Sequence, residues 1–344
     1  MLDSESSVSS DHEFLYHYTD FESFRGMMET KELWASHYKT LNDTKEIERF
    51  KPVLTKALSR SLLDFFQQHS REDKAFRMKA KNAGGIRKGA RKDAENLVNS
   101  NYEVAFEDQS GNLKEAFSPP YIVSFCSHDN HGSYVQKNGL LSQWRAYGAN
   151  GVCVVFNTKK LEKLLQQEYE YYDYVSVSLS SVLYEEAEYL NTKHFRRLVE
   201  YLRTIYLAYY LEVIQKDSDE VLEAYSKNFE LFFRLATRAK HYGFREEQEI
   251  RIIAAPTPRV LKQRPDYKID EQHSKLIQKD WFEFPKGSGK RRIKLNTKPD
   301  SRRLPIERVI IAPMIDQHEL EAKVRALIGE KKIKVNRCKT PFIG

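Results

Sequence analysis

Two carboxylates in the last third of the chain stand at a spacing that can serve chemistry. Glu247 and Glu249 lie at the start of an apolar run, Glu249-Ile-Arg-Ile-Ile-Ala254, which is typical of a buried strand. Because side chains alternate along a strand, we expect both carboxylates and Arg251 on one face. Two acids on one face repel each other unless a cation or a substrate holds them. The spacing favours a solvated edge in which Arg251 pairs with one acid, and a catalytic pair is the alternative.

A histidine lies in a short aromatic strand near the other end of the sequence. The run Glu13-Phe-Leu-Tyr-His-Tyr-Thr19 predicts a strand, and Asp20 is a typical N-cap for the helical pattern that follows it. A single histidine in such a strand is more often a core residue whose nitrogens bond backbone carbonyls. A ligand-binding role for His17 is the alternative.

Two aromatic residues, Trp144 and Tyr147, are three positions apart in a short helix predicted over Leu140–Tyr147. Residues at that spacing share one helix face, and such aromatic pairs usually pack in the core. The functional alternative is that one of the two rings forms a wall for a planar ligand.

A polar loop with Asn42 and Asp43 precedes Glu46, close to a helix predicted from Lys45. This pattern favours a helix cap with an acid that complements the helix dipole. The alternative is that these residues belong to a site.

Composition excludes several classes of protein. The chain has 344 residues, of which 40% are hydrophobic and 31% charged, and its most apolar helical stretch, Leu202–Ile214, is interrupted by Arg203 and Glu212. That stretch is shorter than the roughly 20 apolar residues of a membrane span, so no membrane role is expected. Residues 1–12 are acidic and Ser-rich with no apolar core of a signal peptide, which predicts a cytoplasmic protein.

Recognised motifs of common enzymes are absent. Cys126, Cys153 and Cys338 stand singly among apolar neighbours, which favours reduced core thiols over a disulfide or a metal site. The segment Lys286-Gly-Ser-Gly-Lys290 lacks the spacing of a phosphate-binding loop. The sequence also contains no G-x-G-x-x-G, H-E-x-x-H or G-x-S-x-G motif, so we expect no metal and no standard hydrolase or dehydrogenase site.

The order of elements predicts an α+β fold with one domain over residues 12–340. Apolar runs at Tyr121–Cys126, Gly151–Phe156 and Val309–Ala312 predict buried strands, and Trp281–Thr297 predicts a hairpin. Residues 51–115 are predicted to form an inserted basic helical arm, and residues 158–240 a helical subdomain with a strand near residues 172–184. Irregular alternation of strands and helices disfavours a doubly wound sheet.

A net charge of +7 and a pI near 9.0 favour approach to polyanions. The cations concentrate at Arg71–Lys92 and at Lys290-Arg-Arg292. Such runs are more often solvated faces than binding sites, so nucleic acid enters only as one possible acceptor, beside protein. The sequence leaves the oligomeric state open.

Several of these pieces occur in the order found in a widespread bacterial family of proteins of unknown function, the domain-of-unknown-function family numbered 2971. The chain resembles that family through the segments Leu15-Tyr-His-Tyr-Thr19, Leu33-Trp-Ala-Ser36 with Asn42, Asp43 and Glu46, Ser124-Phe-Cys-Ser127, Trp144 with Tyr147, Gly151–Phe156, Lys240-His241 with Phe244, Glu247, Glu249 and Arg251, and Val309-Ile-Ile-Ala-Pro313. It departs from the family at Thr44, where a proline is common, and in its long helical segments.

The opening His17-Tyr-Thr19 and the helix after it also resemble the start of ADP-ribosyltransferase-like proteins. That resemblance implies a core of two small sheets with a cleft that holds NAD. It implies that His17 holds the NAD ribose and that Glu249, with Glu247, supplies the late acid; an aromatic ring against nicotinamide is assigned first to Tyr147, ahead of Trp144 and Tyr18. Thr19, Arg251 and Arg145 are further candidates at the same site.

The function implied is cleavage of NAD and transfer of ADP-ribose to a macromolecule, in a toxin or phage-defence effector. A carboxylate at the ribose would stabilise the positive charge that develops on the sugar as the bond to nicotinamide breaks. The hypothesis requires His17 and Glu249 to meet at one cleft, and predicts that Glu249→Gln abolishes transfer without unfolding the protein. The alternatives are NAD hydrolysis and an inactive nucleic-acid-binding or sensor protein of the same fold.

Overall fold

The computed structural model describes residues 7–41, 45–106, 119–148, 150–210, 230–257, 275–299, 303–329 and 332–341. Strands and helices mix along these residues without regular alternation, which confirms the α+β class. The described strands are β1 (Phe14–Thr19), β2 (Leu33–His37), β3 (Tyr121–Cys126), β4 (Val152–Asn157), β5 (Tyr172–Ser181), β6 (Glu249–Pro256), β7 (Ile277–Gln278), β8 (Trp281–Glu283), β9 (Arg291–Leu295), β10 (Ile306–Ile311) and β11 (Lys334–Arg337).

The described helices lie mainly between β2 and β3 and between β4 and β6. They are α1 (Val8–Asp11), α2 (Phe21–Thr30), α3 (Phe50–Glu72), α4 (Lys74–Asn82), α5 (Ile86–Phe106), α6 (Gly132–Asn138), α7 (Leu141–Ala146), α8 (Thr158–Tyr171), α9 (Glu186–Asn191), α10 (Lys193–Tyr210), α11 (residues 230–236) and α12 (Gln317–Ile328). Short 3-10 turns are formed by Tyr38–Thr40, Ile47–Arg49, Asp129–His131 and Tyr242–Glu247. None of the described helices is long and apolar enough to cross a membrane.

All the described strands join in one mixed sheet of 11 strands, where we expected two small sheets. Eight strands follow the order β11-β10-β4-β1-β3-β2-β9-β8, while β6 pairs with β3, β5 with β6, and β7 with β5. The β10–β11 and β5–β7 pairs are parallel, and the other pairs are antiparallel. The sheet therefore branches at β3, which has neighbours β1 and β2 on one side and β6 on the other.

The branch leaves an opening between β1 and β2. Cys126, at the end of β3, pairs with Tyr16 of β1, whereas Tyr121 and Ile122 at its start pair with β2. Among the described strands, residues 123–125 of β3 have no partner on that side. His17 lies at this point, with its Nδ1 atom 2.9 Å from the carbonyl oxygen of Ser124.

Apolar side chains cover both faces of the sheet, which explains why β3 and β4 consist mostly of consecutive apolar residues. One face packs against α2, α8 and α12 through residues such as Phe24, Leu161 and Val324. The other face packs partly against helices through Ile122, and partly around Tyr16, Tyr18, Cys126, Trp144 and Cys153. All three cysteines are buried and free, as predicted.

The two predicted insertions share a hydrophobic core. Leu58 and Phe66 of α3 belong to the same buried cluster as Leu198 of α10 and Phe232 of α11. Residues 51–106 therefore pack as part of a helical layer. The 158–240 segment contains, besides helices, the ten-residue strand β5, near the strand expected there. The domain boundaries themselves stay a prediction.

Gly151 holds β4 against the end of β1. A Cβ atom at Gly151 would lie 2.1 Å from the carbonyl oxygen of Thr19 and 2.8 Å from the Cα atom of Asp20, and backbone atoms at both places cannot easily give way. We expect Gly151→Ala to lower the free energy of unfolding by about 3 kcal/mol, through overpacking. The measurement is urea unfolding of both proteins.

The matched control is Gly26→Ala within α2, where a Cβ atom would meet nothing within 4 Å. That substitution should raise stability by about 0.5–1 kcal/mol, since alanine is the better helix former. Equal stabilities of the Gly151→Ala and Gly26→Ala proteins would contradict the close contact between β1 and β4.

Candidate functional site

Five charged residues form a buried ion-pair cluster at the start of β6: Glu46, Lys240, Glu247, Glu249 and Arg251. The Nζ atom of Lys240 donates to Glu247 at 2.5 Å and to Glu249 at 2.6 Å. Arg251 donates through Nε and Nη2 to the two carboxylate oxygens of Glu249, at 2.7 and 2.9 Å. Its Nη2 also lies 2.5 Å from Glu46 Oε2. Glu249 is therefore held by both cations.

Four separate segments bring the cluster together. Glu249 and Arg251 project from one face of β6, as the alternation predicts, while Lys240 follows α11. Glu247 ends the 3-10 turn Tyr242–Glu247, and Gln248 after it adopts φ 42°, a left-handed conformation that is uncommon outside glycine. This kink lets Glu247 reach the same lysine as Glu249 although it stands outside the strand.

Electrostatics keep the cluster ionised at its centre. Burial opposes the charge of Glu249, but Arg251 and Lys240 outweigh it and lower the pKa of that carboxyl to about 2. Burial would lower the pKa of Lys240, but Glu249 and Glu247 raise it above its ordinary value. Burial raises the pKa of Glu46, and Arg251 opposes that shift.

Glu247 is the most accessible acid of the cluster. Its side chain is 13% exposed, against 4% for Glu249 and 7% for Glu46. The cluster's three acidic side chains outnumber its two basic ones. Glu247, where solvent reaches the cluster, is the acid best placed to contact a ligand.

Phe244 supplies an aromatic surface beside the cluster, a role that the sequence did not predict for it. Its ring centroid lies 5.0 Å from Lys240 Nζ, and 42% of the residue is exposed. The signal was present, since Phe244 stands three positions before Glu247 within the segment that carries the family resemblance.

His17 and Glu249 lie on opposite faces of the sheet. Tyr16 pairs with Cys126, and Cys126 pairs with Glu249, so these three side chains share one face. His17 follows Tyr16 and points to the other face, where its ring centroid lies 5.6 Å from that of Phe125. Burial lowers the pKa of His17. β1 and β6 are two strand spacings apart, about 10 Å.

His17 therefore agrees at one ring nitrogen with the prediction of a core histidine, because Nδ1 forms a hydrogen bond with a backbone carbonyl oxygen. The hypothesis required His17 and Glu249 to meet around one sugar. The structure does not bring these two side chains together. Thr19 is half-buried at the end of β1, where it pairs with Val152 of β4.

Three predicted aromatic candidates divide into buried and exposed rings. Trp144 is 1% exposed and donates its indole N–H to the Asn138 carbonyl oxygen. Tyr18 is also buried: its ring packs edge-on against Trp144, and its hydroxyl accepts a bond from the Leu140 amide. Neither ring presents a face to a ligand. Tyr147 is 40% exposed, and Arg145 is exposed as well.

Glu46 corrects the capping interpretation. The residue precedes the 3-10 turn Ile47–Arg49, but its side chain makes no cap hydrogen bond and instead binds Arg251. Asn42 and Asp43 lie outside the described residues. The prediction of a solvated edge around Arg251 is also wrong, because Arg251 is only 2% exposed.

Other polar groups near the end of β3 do not form a nucleophilic site. Ser127 Oγ and Asp129 Oδ2 both approach the same atom of His12, Nδ1, at 2.9 and 2.6 Å. A catalytic triad uses different ring nitrogens for the acid and the serine. Burial, with Glu247 and Glu249 nearby, raises the pKa of Cys126, so its thiol stays protonated at neutral pH. No group of three metal-binding side chains occurs in the part of the chain described.

Comparison with known proteins supports the family resemblance over part of the chain. Residues 143–252 match the model of a family described as "Protein of unknown function (DUF2971)". The matched segment runs from α7 to β6 and includes four of the five residues of the ion-pair cluster. No curated protein and no solved structure matches the chain.

Proposed function

We propose that this protein cleaves the nicotinamide–ribose bond of NAD and transfers ADP-ribose to a macromolecule, with the reacting sugar beside Glu247. The observation that carries the proposal is that acids outnumber cations in the ion-pair cluster and that Glu247 is the most exposed of these acids. The resemblance to ADP-ribosyltransferase-like proteins also implies a role as a toxin or phage-defence effector.

The chemistry requires a negative group that acts more strongly on the transition state than on NAD itself. As the bond breaks, its electron pair leaves with nicotinamide, and positive charge develops on the sugar. A carboxylate fixed beside that carbon stabilises the charge without reorganising. Lys240, 2.5 Å from Glu247, fixes the carboxylate in place, while Glu249 offsets the charge of the lysine.

Glu249 has a positioning role in this proposal. Both of its carboxylate oxygens accept bonds from Arg251, and one also accepts from Lys240. Tyr147, the ring assigned first to nicotinamide, is 40% exposed and stays a candidate, whereas Trp144 and Tyr18 are buried. Phe244, beside the cluster, now comes ahead of Tyr147. The proposal no longer has His17 and Glu249 grip the same ribose.

The basic test is incubation of the purified full-length protein with NAD, alone and with protein, DNA and RNA acceptors. We expect release of nicotinamide, and ADP-ribose attached to one of the acceptors. Free ADP-ribose as the sole product would assign hydrolysis instead of transfer. NAD that stays intact with every acceptor would contradict the proposal.

A further inference from the structure

The hairpin formed by β8 and β9 carries exposed aromatic side chains at the edge of the sheet. Phe284 is 45% exposed, and Phe282 next to it in the strand pattern is half-buried. Trp281, which is 52% exposed, pairs with Ile293 and therefore projects from the opposite face. Trp34 of β2 lies beside the hairpin, and its ring centroid is 5.1 Å from that of Phe282 and 5.0 Å from that of Phe284. Three rings therefore form one continuous aromatic surface.

Cations lie over these rings. Residues 281–298 contain six lysines and arginines but only one acid, Glu283. One of these cations, Lys294, is paired with Glu32 at 3.0 Å. The guanidinium carbon of Arg292 lies 5.4 Å from the ring centroid of Phe284, and Lys294 Nζ lies 5.5 Å from that of Phe282. The loop between the strands adds the exposed lysines Lys286 and Lys290.

Strand register places the rings and cations on one face. Phe282 pairs with Arg292 and Trp34 pairs with Lys294, and paired residues of antiparallel strands project to the same side. We name Trp34, Phe282, Phe284, Arg292 and Lys294 the hairpin face. Glu283, in contrast, accepts hydrogen bonds from the backbone N–H groups of Gly287 and Gly289 within the loop, so this acid orders the loop.

We propose that the hairpin face binds single-stranded nucleic acid. Unpaired bases would stack on Phe284 and the rings next to it, and phosphates would contact Arg292, Lys286 and Lys290. Aromatic platforms bordered by cations bind single strands in this way, because every base offers a π face and every nucleotide a negative charge. A duplex hides its base faces, so it offers these rings nothing to stack on.

Protection of a sheet edge explains less of this surface. Charged side chains alone keep an edge strand from pairing with another chain, and the lysines would suffice for that. Large exposed rings at the same edge add apolar surface, which a protective edge avoids. The combination of rings and cations therefore points to a ligand with both flat faces and negative charge.

Binding here extends the proposed function by naming the class of acceptor, but its test needs no NAD. β8 lies four strand spacings from β6, about 20 Å along the sheet, so the hairpin face and the ion-pair cluster are separate places. Loss of NAD cleavage and loss of strand binding are separate results.

The experiment measures fluorescence anisotropy of labelled 20-nucleotide strands of oligo-dT and oligo-U, and of a duplex of equal length, over a range of salt concentrations. We expect the protein to prefer the single strands, and affinity to fall steeply with salt. Phe284→Ala should weaken binding about tenfold or more. Tyr169→Ala, which removes a ring of similar exposure on α8, should leave affinity unchanged.

Charge variants supply the second comparison. Lys286→Glu with Lys290→Glu should weaken binding strongly and reduce the salt slope by about 1.4, since each phosphate contact to a single strand contributes about 0.7. The matched control is Arg87→Glu with Lys88→Glu, the same charge change on two exposed residues of α5. Equal losses from both pairs would mean non-specific attraction to a basic protein and would overturn the proposal. Equal affinity for duplex, or unchanged binding by Phe284→Ala, would overturn it as well.

Discussion

Replacement of Arg251 by leucine is expected to lower the free energy of unfolding by about 3–5 kcal/mol, since it leaves buried acids without their partner. Glu249 would lose its only donor at Oε1 among the described residues and keep Lys240 alone at Oε2, and Glu46 would lose its bond at Oε2. The backbone oxygen of Thr237, which accepts from Arg251 Nη1 at 2.9 Å, would lose a donor as well. Urea unfolding followed by circular dichroism measures the change.

Two comparisons separate this effect from a general loss of charge. Arg91→Leu breaks an exposed pair with Glu95, in which the arginine side chain is 72% exposed, and should change stability by no more than about 0.5 kcal/mol. The triple variant Arg251→Leu, Glu46→Gln, Glu249→Gln removes the unpaired charges and should recover part of the loss. A single variant that is as stable as the parent would show that Arg251 does not neutralise the buried acids.

The strands were predictable because a buried strand shows itself as a run of neighbouring apolar residues in the sequence. Tyr121–Cys126 and Val152–Asn157 are continuous apolar runs, and such runs arise where both faces of a strand are covered. Alternation along β6 likewise predicted that Glu249 and Arg251 would share a face. These features depend on local periodicity, which a single sequence shows directly.

The composition of the ion-pair cluster was less predictable because its contacts are distant in the chain. Glu46 and Arg251 are 205 positions apart, and each has a plausible local role, a cap for one and a solvated edge for the other. The left-handed conformation of Gln248 was not predictable either, because the residue that adopts it is not a glycine. The faces of His17 and Glu249 depend on the register of β3 between β1 and β6, which no local pattern encodes.

The hairpin face combines features that were predictable from local sequence with one that depends on strands distant in the chain. The Gly-rich loop predicted the hairpin, and the cations at Lys290-Arg-Arg292 were visible as a basic run. Trp34 joins them only because β2 pairs with β9 over four residues, Leu33 to Ser36. The sequence alone predicts that this basic run is a solvated face. The pairing of β2 with β9 places aromatic rings beside it.

Glu247→Gln is expected to reduce the rate of nicotinamide release from NAD by about 100- to 1,000-fold, the effect of removing one group that stabilises a developing charge. The amide keeps an oxygen that can accept from Lys240, and Glu247 lies at the accessible edge of the cluster. Melting temperature should therefore change by only a few degrees. Single-turnover release, followed by chromatography, gives the rate.

Two neighbouring acids make the test specific. Glu246→Gln changes the same charge at an exposed position next in sequence, and should keep both activity and stability. Glu249→Gln should lower the melting temperature, because Arg251 and Lys240 then lack the carboxylate that neutralises them in the interior. If Glu247→Gln cleaves NAD at the parent rate while Glu249→Gln is folded and inactive, then Glu249 carries the chemistry. The ion pair with Arg251 would then have to open when NAD binds.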